Sequence, residues 1–231
     1  LMTAPALADT KAGVDAWQAG DYATAIKEWR AAADAGDPDA AFNLGQAYKT
    51  GRGVTQDLNQ ALDWYGRAAQ AGHIVAADNY GLTLYQLGRK SEAMPFIQAA
   101  ADRGEPRAQY VYGAELFNGK LIEKDWPRAY AMMNRASAQG LAPASRVLAE
   151  MDQHIPLDQR QQGLALSAQL EKSEAQERTR QMSGYDMGTA PVSAPVRPAA
   201  PKPSNIETFQ LPPSQTASAP APAPAAAAPA A

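Results

Sequence analysis

Cysteine is absent, which excludes disulfides, thiolate metal sites and a cysteine nucleophile together. Histidine is almost as scarce. His73 and His154 stand roughly 80 residues apart, and neither has a partner at i+3 or i+4 as a helical metal pair would. Valine, isoleucine and phenylalanine are thin while alanine dominates the apolar share, which favours closely packed helices over sheet. There is no run of 18 apolar residues long enough to span a membrane. Basic clusters are missing too. With a net charge of −3 and a pI near 5.4, the protein lacks the phosphate-neutralising face of a nucleic-acid binder. No serine elbow, catalytic carboxylate pair or zincin motif occurs. Gly51-Arg52-Gly53 follows a helical pattern rather than a strand, so it reads as a turn and not a phosphate loop. The sequence therefore predicts no enzyme, no cofactor and no metal site.

What is present is a repeat, and repeats decide the fold. Gly36, Gly72, Gly104 and Gly140 close an Ala-Ala-x-x-Gly motif or near variant, at separations of 36, 32 and 36 residues. Gly13, Gly45, Gly81 and Gly113 follow at 32, 36 and 32; Ala25, Ala61, Ala93 and Ala129 at 36, 32 and 36. Three markers keep one phase. The alternation defines a 68-residue double unit, in which Pro38 falls on Pro106, Asp57 on Asp125 and Gly51 on Gly119. The difference between short and long repeats lies in the turn between helices.

Each unit reads as two antiparallel helices. In the second, helix A covers about 39–49, with Ala40, Leu44, Ala47 and Tyr48 at amphipathic offsets. Helix B covers about 58–71, with Ala61, Tyr65, Ala68 and Ala69 at the same offsets. Asp57 and Asp125 stand where N-caps belong, Gly72 and Gly140 where left-handed C-caps belong. The 45-type glycine and 61-type alanine would let two backbones approach, with Leu44 or Tyr112 filling the groove beside them. Pro95 falls inside the third helix B, so that helix is expected to start late, with Ser91 as N-cap, or to bend.

The run Ala40-x-x-x-Leu44-Gly45-x-x-Tyr48-x-x-Gly51-x-Gly53-Val54-x-x-Asp57-x-x-x-Ala61-x-x-Trp64-Tyr65-x-x-Ala68-Ala69-x-x-Gly72 resembles the Sel-one-like repeat, a relative of the tetratricopeptide repeat. Residues 108–140 resemble it as well, with Leu121 in place of the second loop glycine. Units at about 8–36 and 76–104 lack the long loop and are more similar to ordinary tetratricopeptide units. The resemblance implies an all-α fold: a right-handed α-solenoid of antiparallel helix pairs, at about 9–36, 37–72, 73–104 and 105–140. Residues 141–183 read as capping helices. There Pro143 to Met151 forms a helix A with Val147 and Leu148 inward, and a longer helix carries Leu157, Leu164 and Ala168 on one stripe.

The ends differ in kind. Ala6-Leu7-Ala8 fits the small-x-small cleavage pattern of a secretory signal peptide, which makes residues 1–8 a leader remnant and the location periplasmic or extracellular. The alternative is that Ala8 merely begins the first helix. Eleven of the 18 prolines lie beyond Gly184, so 184–231 reads as a disordered linker or tail. Its one apolar island is Ile206, Phe209 and Leu211, either a short linear motif or incidental composition.

With no chemistry in view, surface remains. The resemblance implies that the A helices line the concave side. Phased from the loop-side glycine, the lining candidates are Trp17, Phe42, Gln46, Lys49, Asp78, Leu82, Tyr85, Arg107, Tyr110, Phe117 and Asn118. Aromatic anchors beside amide and charged groups suit a protein or peptide partner. The competing reading is that Trp17, Phe42 and Phe117 pack between neighbouring repeats. The sequence thus predicts a protein-binding adaptor. The resemblance implies one alternative, an envelope spacer whose separate C-terminal module binds peptidoglycan.

Overall fold

In the computed structural model residues 10–185 are described. Residues 1–8, expected to be a leader remnant, nearly all of the proline-rich segment and the island at Ile206, Phe209 and Leu211 lie outside them. Residue contacts separate a unit of Leu1–Val196 from one of Arg197–Ala231, and every described residue belongs to the first.

The described residues form ten helices and no strand. They are α1 (Thr10–Gln18), α2 (Tyr22–Asp34), α3 (Pro38–Thr50), α4 (Leu58–Gln70), α5 (Ile74–Gln86), α6 (Lys90–Asp102), α7 (Pro106–Asn118), α8 (Trp126–Ala138), α9 (Ala142–His154) and α10 (Leu157–Tyr185). Odd-numbered helices are the A helices, even-numbered the B helices. Through α9, each helix packs on the next in sequence, which makes the array an α-solenoid. Because α3 to α8 all span 13 residues, the four-residue difference between repeats resides in the connections.

Two kinds of connection follow from two kinds of glycine. Gly72 has φ 89°, and its N–H bonds Ala69 O while that of His73 bonds Ala68 O, at 2.9 and 3.0 Å. That Schellman geometry closes α4 in one tight turn and leads straight into α5. At Gly51, φ 69°, the N–H groups of Gly51 and Arg52 instead both reach Ala47 O, at 2.9 and 3.2 Å, and the longer loop returns through Asp57 N–H to Tyr48 O at 3.0 Å. Asp57 then caps α4 by accepting from the N–H groups of Asn59 and Gln60, a contribution of about 1 kcal/mol.

The 45-type glycines meet helix B differently from the backbone-to-backbone contact expected of them. A Cβ on Gly13 would lie 2.4 Å from the Trp29 ring, and one on Gly45 would lie 2.5 Å from the Tyr65 ring. Only at Gly113 is the nearest atom backbone, Ala129 O at 3.1 Å. The notch receives a large side group in the first two repeats and a close backbone in the fourth. Trp29, Tyr65, Ile97 and Met133 occupy one repeat position, and all are buried.

Two expectations need correction. Helix α6 starts early, at Lys90, and not at a capping Ser91. Arg89 precedes it without a capping hydrogen bond from its side group, and the helix runs through Pro95. The missing N–H of Pro95 falls on an exposed position, where water can satisfy the freed carbonyl. The second concerns α10. Leu157 and Leu164 are 62% and 49% exposed, and Ala168 is exposed too. The buried stripe is Gly163, Ser167 and Glu174, one residue out of phase. Gly163 allows the approach, since a Cβ there would lie 2.9 Å from Pro127 O and Tyr130 Cβ. Ser167 donates to Asn134 at 2.9 Å, and Glu174 accepts from Arg135 and Gln109, both at 2.7 Å. Small size and matched polar partners, not apolar area, select the docked face. As a result α10 packs chiefly on α8 rather than pairing with α9.

Candidate functional site

Neighbouring A helices touch through polar side groups, and the eleven candidate residues divide by what they touch. Trp17 is half-buried, 4.7 Å from the Tyr22 ring and 5.1 Å from Trp29. Phe42 is 9% exposed, stacked on His73 at 4.7 Å and tilted against Tyr65 at 5.9 Å. Phe117 is half-buried, with Trp126 at 6.3 Å and His154 at 6.4 Å. Phe42 is a packing residue, because its ring is engaged by two others from within the protein. Asp78 and Tyr85 are also buried, at 8% and 6%, so they form the floor of the face and not its contact surface. Asn118 is half-buried and turns its amide onto Ala114 O of its own helix, at 2.9 Å. Gln46, Lys49, Leu82, Arg107 and Tyr110 remain half-buried and partly open to solvent.

The structure brings part of this set together. Lys49 at the end of α3 donates to Asn79 Oδ1 of α5 at 3.3 Å. Asn79 is held in place because its own amide donates to Val75 O at 2.8 Å. Tyr65 donates to Gln46 Oε1 at 2.7 Å. Asp78 accepts from Arg103, and Arg107 Nε donates to Glu105 Oε1 at 2.7 Å. Glu105 also caps α7 through Ala108 N–H at 2.6 Å. Further along the face Tyr85 donates to Glu115, with the Lys90 ammonium 3.7 Å from the same carboxylate oxygen. Trp17 and Phe117, near opposite ends of the array, belong to neither cluster.

Burial sets the electrostatics. It pushes Lys49 down to about 8, aided by the Arg107 charge and opposed by Glu105. Burial also raises Asp78, which the Arg103 hydrogen bond and charge partly offset. Tyr65 and Tyr85 are pushed well above the ordinary phenol range, first by burial and, for Tyr85, then by the Glu115 carboxylate. Neither tyrosine ionises near neutral pH, so both act as fixed donors.

Sequence reasoning missed Asn79, Arg103, Glu105 and Glu115. Their signal is weak, since a polar residue on an amphipathic helix looks like a solvated face until its neighbour is placed. His73 has a structural role. It caps α5, its Nδ1 accepting from Ala76 N–H at 3.1 Å, while Nε2 lies 3.4 Å from Asp39. Among the described residues no three or more His, Asp and Glu residues gather as a metal site requires. No described helix is long and apolar enough to cross a membrane.

Comparison with known proteins agrees with this geometry. The Sel1 repeat family model matches residues 38–73 and 106–141, which are the two long-loop repeats. An uncharacterised protein of Neisseria meningitidis serogroup B is 28% identical over 131 residues, covering 57% of this chain and 28% of that one. An exopolysaccharide production negative regulator of Rhizobium meliloti is 26% identical over 129 residues, covering 56% and 42%. The protein thus spans less than half the length of these curated relatives. Among solved structures, a Sel1 repeat protein from Oxalobacter formigenes superimposes with a TM-score of 0.52 at 28% identity, covering 61% of this chain and 59% of that one. A protective antigen of uropathogenic Escherichia coli with an SLR fold gives 0.55 at 24% identity, covering 80% and 49%, a likeness of fold alone.

Proposed function

We infer that this Sel1-like repeat protein is a protein-interaction scaffold whose partner lies along the A-helix face. Repeats of this family generally serve as binding scaffolds rather than catalysts. One observation carries the choice of face. Consecutive A helices α3, α5 and α7 carry half-buried polar, aliphatic and aromatic groups in a row, Gln46, Lys49, Leu82, Arg107 and Tyr110, and the Lys49–Asn79 bond bridges two of these helices. Such a row offers a peptide or helix both apolar contact and directional hydrogen bonds. The pattern at Ala6-Leu7-Ala8 supports a place for this scaffold in the bacterial envelope.

The spacer alternative, with peptidoglycan bound by a separate module, leaves this face without a partner, and that difference is testable. The double variant Leu82→Glu plus Tyr110→Glu places two charges on the row and leaves the buried Tyr85 untouched. Partners that co-purify with the wild-type protein should be lost from this variant while its helical content and melting temperature stay near wild type. An unchanged partner list from a folded variant contradicts the assignment. Cell fractionation tests the location, and recovery in the cytoplasm contradicts it.

A further inference from the structure

The two double units part company beside their long loops. In the first, the Arg30 guanidinium of α2 donates to the Tyr48 hydroxyl of α3 at 2.6 Å and bridges the two helices. In the second, at the positions offset by the 68-residue unit, stand Gln98 of α6 and Leu116 of α7, which cannot form that bridge. The phenol returns one turn earlier, at Tyr112 in place of Leu44, and Trp126 replaces Leu58. There an open cleft of about 850 Å³ lies between α6, α7 and the long loop that leads into α8. The start of α10 forms its remaining wall, because the close approach at Gly163 brings Gln159 and Gln162 to the cleft that Pro127 also lines.

Hydrogen-bonding capacity collects in this cleft unused. Tyr112 is 5% exposed, yet its hydroxyl has no hydrogen-bond partner among the described residues. A phenol so enclosed needs its partner to come from the cleft. The carboxamides of Gln98, Gln159 and Gln162 and the carboxylates of Glu123 and Asp158 have no described partner either. Burial holds Tyr112 above the ordinary phenol range, so near neutral pH it stays a donor. Amides both donate and accept, carboxylates only accept, and the apolar sides of Leu116, Ile122 and Pro127 line the same space. Three lining carboxylates, with Asp125 the third, face the single ammonium of Lys124, an acidic balance that disfavours phosphate and carboxylate ligands.

We propose that this cleft binds a neutral saccharide, held by the Tyr112 hydroxyl and the carboxamides of Gln98, Gln159 and Gln162. Sugar hydroxyls both donate and accept, and a planar amide or carboxylate can hold two neighbouring ones at once. The C–H faces of the sugar ring rest on the apolar side groups, and the volume falls within the roughly 300–1,000 Å³ of small-molecule sites. A peptide would bring backbone amides that need a strand edge, and the described residues form no strand. The cleft shares no residue with the row of Gln46, Lys49, Leu82, Arg107 and Tyr110, so it adds a second ligand to the scaffold and does not depend on that face.

The test titrates isotope-labelled full-length protein with maltotriose, cellotriose and triacetylchitotriose, up to about 10 mM. These neutral sugars differ in linkage and in ring substituent. Trigalacturonic acid serves as the acidic comparator and N-acetyl-triglycine amide as the peptide. NMR follows the side-chain amide signals of Gln98, Gln159 and Gln162 and the indole N–H of Trp126, which is fixed by its bond to Phe117 O. At least one neutral sugar should move these signals to saturation, while the acidic sugar and the peptide leave them in place. Tyr112→Phe keeps the ring and should weaken binding roughly three- to tenfold. Gln98→Ala plus Gln162→Ala, both at exposed positions, should weaken it about tenfold or more. Gln46→Ala, on the A-helix row, should leave it unchanged. The sugar that responds identifies the linkage and substituent preferred. If no neutral sugar binds in that range, if the peptide or the acidic sugar binds more tightly than every neutral one, or if either folded cleft variant binds as well as wild type, the site is overturned.

Discussion

Lys49 titrates near pH 8 because burial first, and Arg107 second, disfavour its charge, with Glu105 opposing; Asp78, paired to Arg103, and neutral Asn79 complete its surroundings. An unfolded lysine titrates near 10.4. Between those values the unfolded protein holds the extra proton, so stability rises with pH across that window. Above about pH 10 the raised pKa values of Tyr65 and Tyr85 work the other way, because the unfolded phenols ionise first. Thermal melts between about pH 8 and about pH 10 should therefore show a rise in the wild-type melting temperature relative to Lys49→Met. Parallel curves for the two proteins would contradict the assignment.

Glycines provide a second residue-level contrast. Gly45→Ala drives a Cβ to 2.5 Å from the Tyr65 ring, whereas an added Cβ on Gly72 meets nothing within 4 Å. Overpacking at Gly45 should cost about 1–3 kcal/mol. At Gly72 only the left-handed backbone, φ 89°, is strained, at about 1–2 kcal/mol. Denaturant titration should place Gly45→Ala at or below Gly72→Ala in stability. A Gly45→Ala protein as stable as wild type would mean the notch is slack.

Among the helices, α10 is found where the sequence reading puts it but docks through another face. The repeat phase of the glycines and alanines makes α2 to α8 legible, because a solenoid must reproduce the same close approach at every turn. That logic ends with the repeat. Leu157, Leu164 and Ala168 draw the eye as an apolar stripe, yet the docked face is Gly163, Ser167 and Glu174. Its energetics depend on partners that no pattern in the sequence reveals: Asn134, Arg135 and Gln109. The Arg135–Glu174 pair is buried on both sides, at 7% and 4% exposure beyond the backbone. Removing one member of a buried pair costs about 3–5 kcal/mol, while replacing both by apolar residues is often close to neutral. Arg135→Met should accordingly loosen α10 more than Arg135→Met with Glu174→Met. Hydrogen exchange over residues 157–176 reads the difference, and equal exchange in the two variants contradicts a paired latch.

For the whole array, the aromatic residues that suggest a binding groove divide between two roles. Phe42 is enclosed by His73 and Tyr65, and Tyr85 is tied to Glu115, so these rings hold the repeats in register. Leu82, Tyr110 and the donors around Lys49 are only half-buried and keep part of their surface open to solvent. The sequence could place all of them on A helices but could not rank them, because burial between repeats depends on how far each helix is rotated against its neighbour. The Sel1 match covers only the long-loop repeats, while the polar row runs on through the short-loop repeat that carries Asn79, Leu82 and Tyr85.

The central claim is that partners lie along the A-helix face, and site-specific photo-crosslinking in the source cells tests it most directly. A photoreactive residue is placed in turn at Leu82 and Tyr110 on A helices, and at the exposed Asp63 and Gln98 on B helices. The same protein adduct is expected from both A-helix positions and none from the B-helix positions. Adducts confined to Asp63 and Gln98 would contradict the claim.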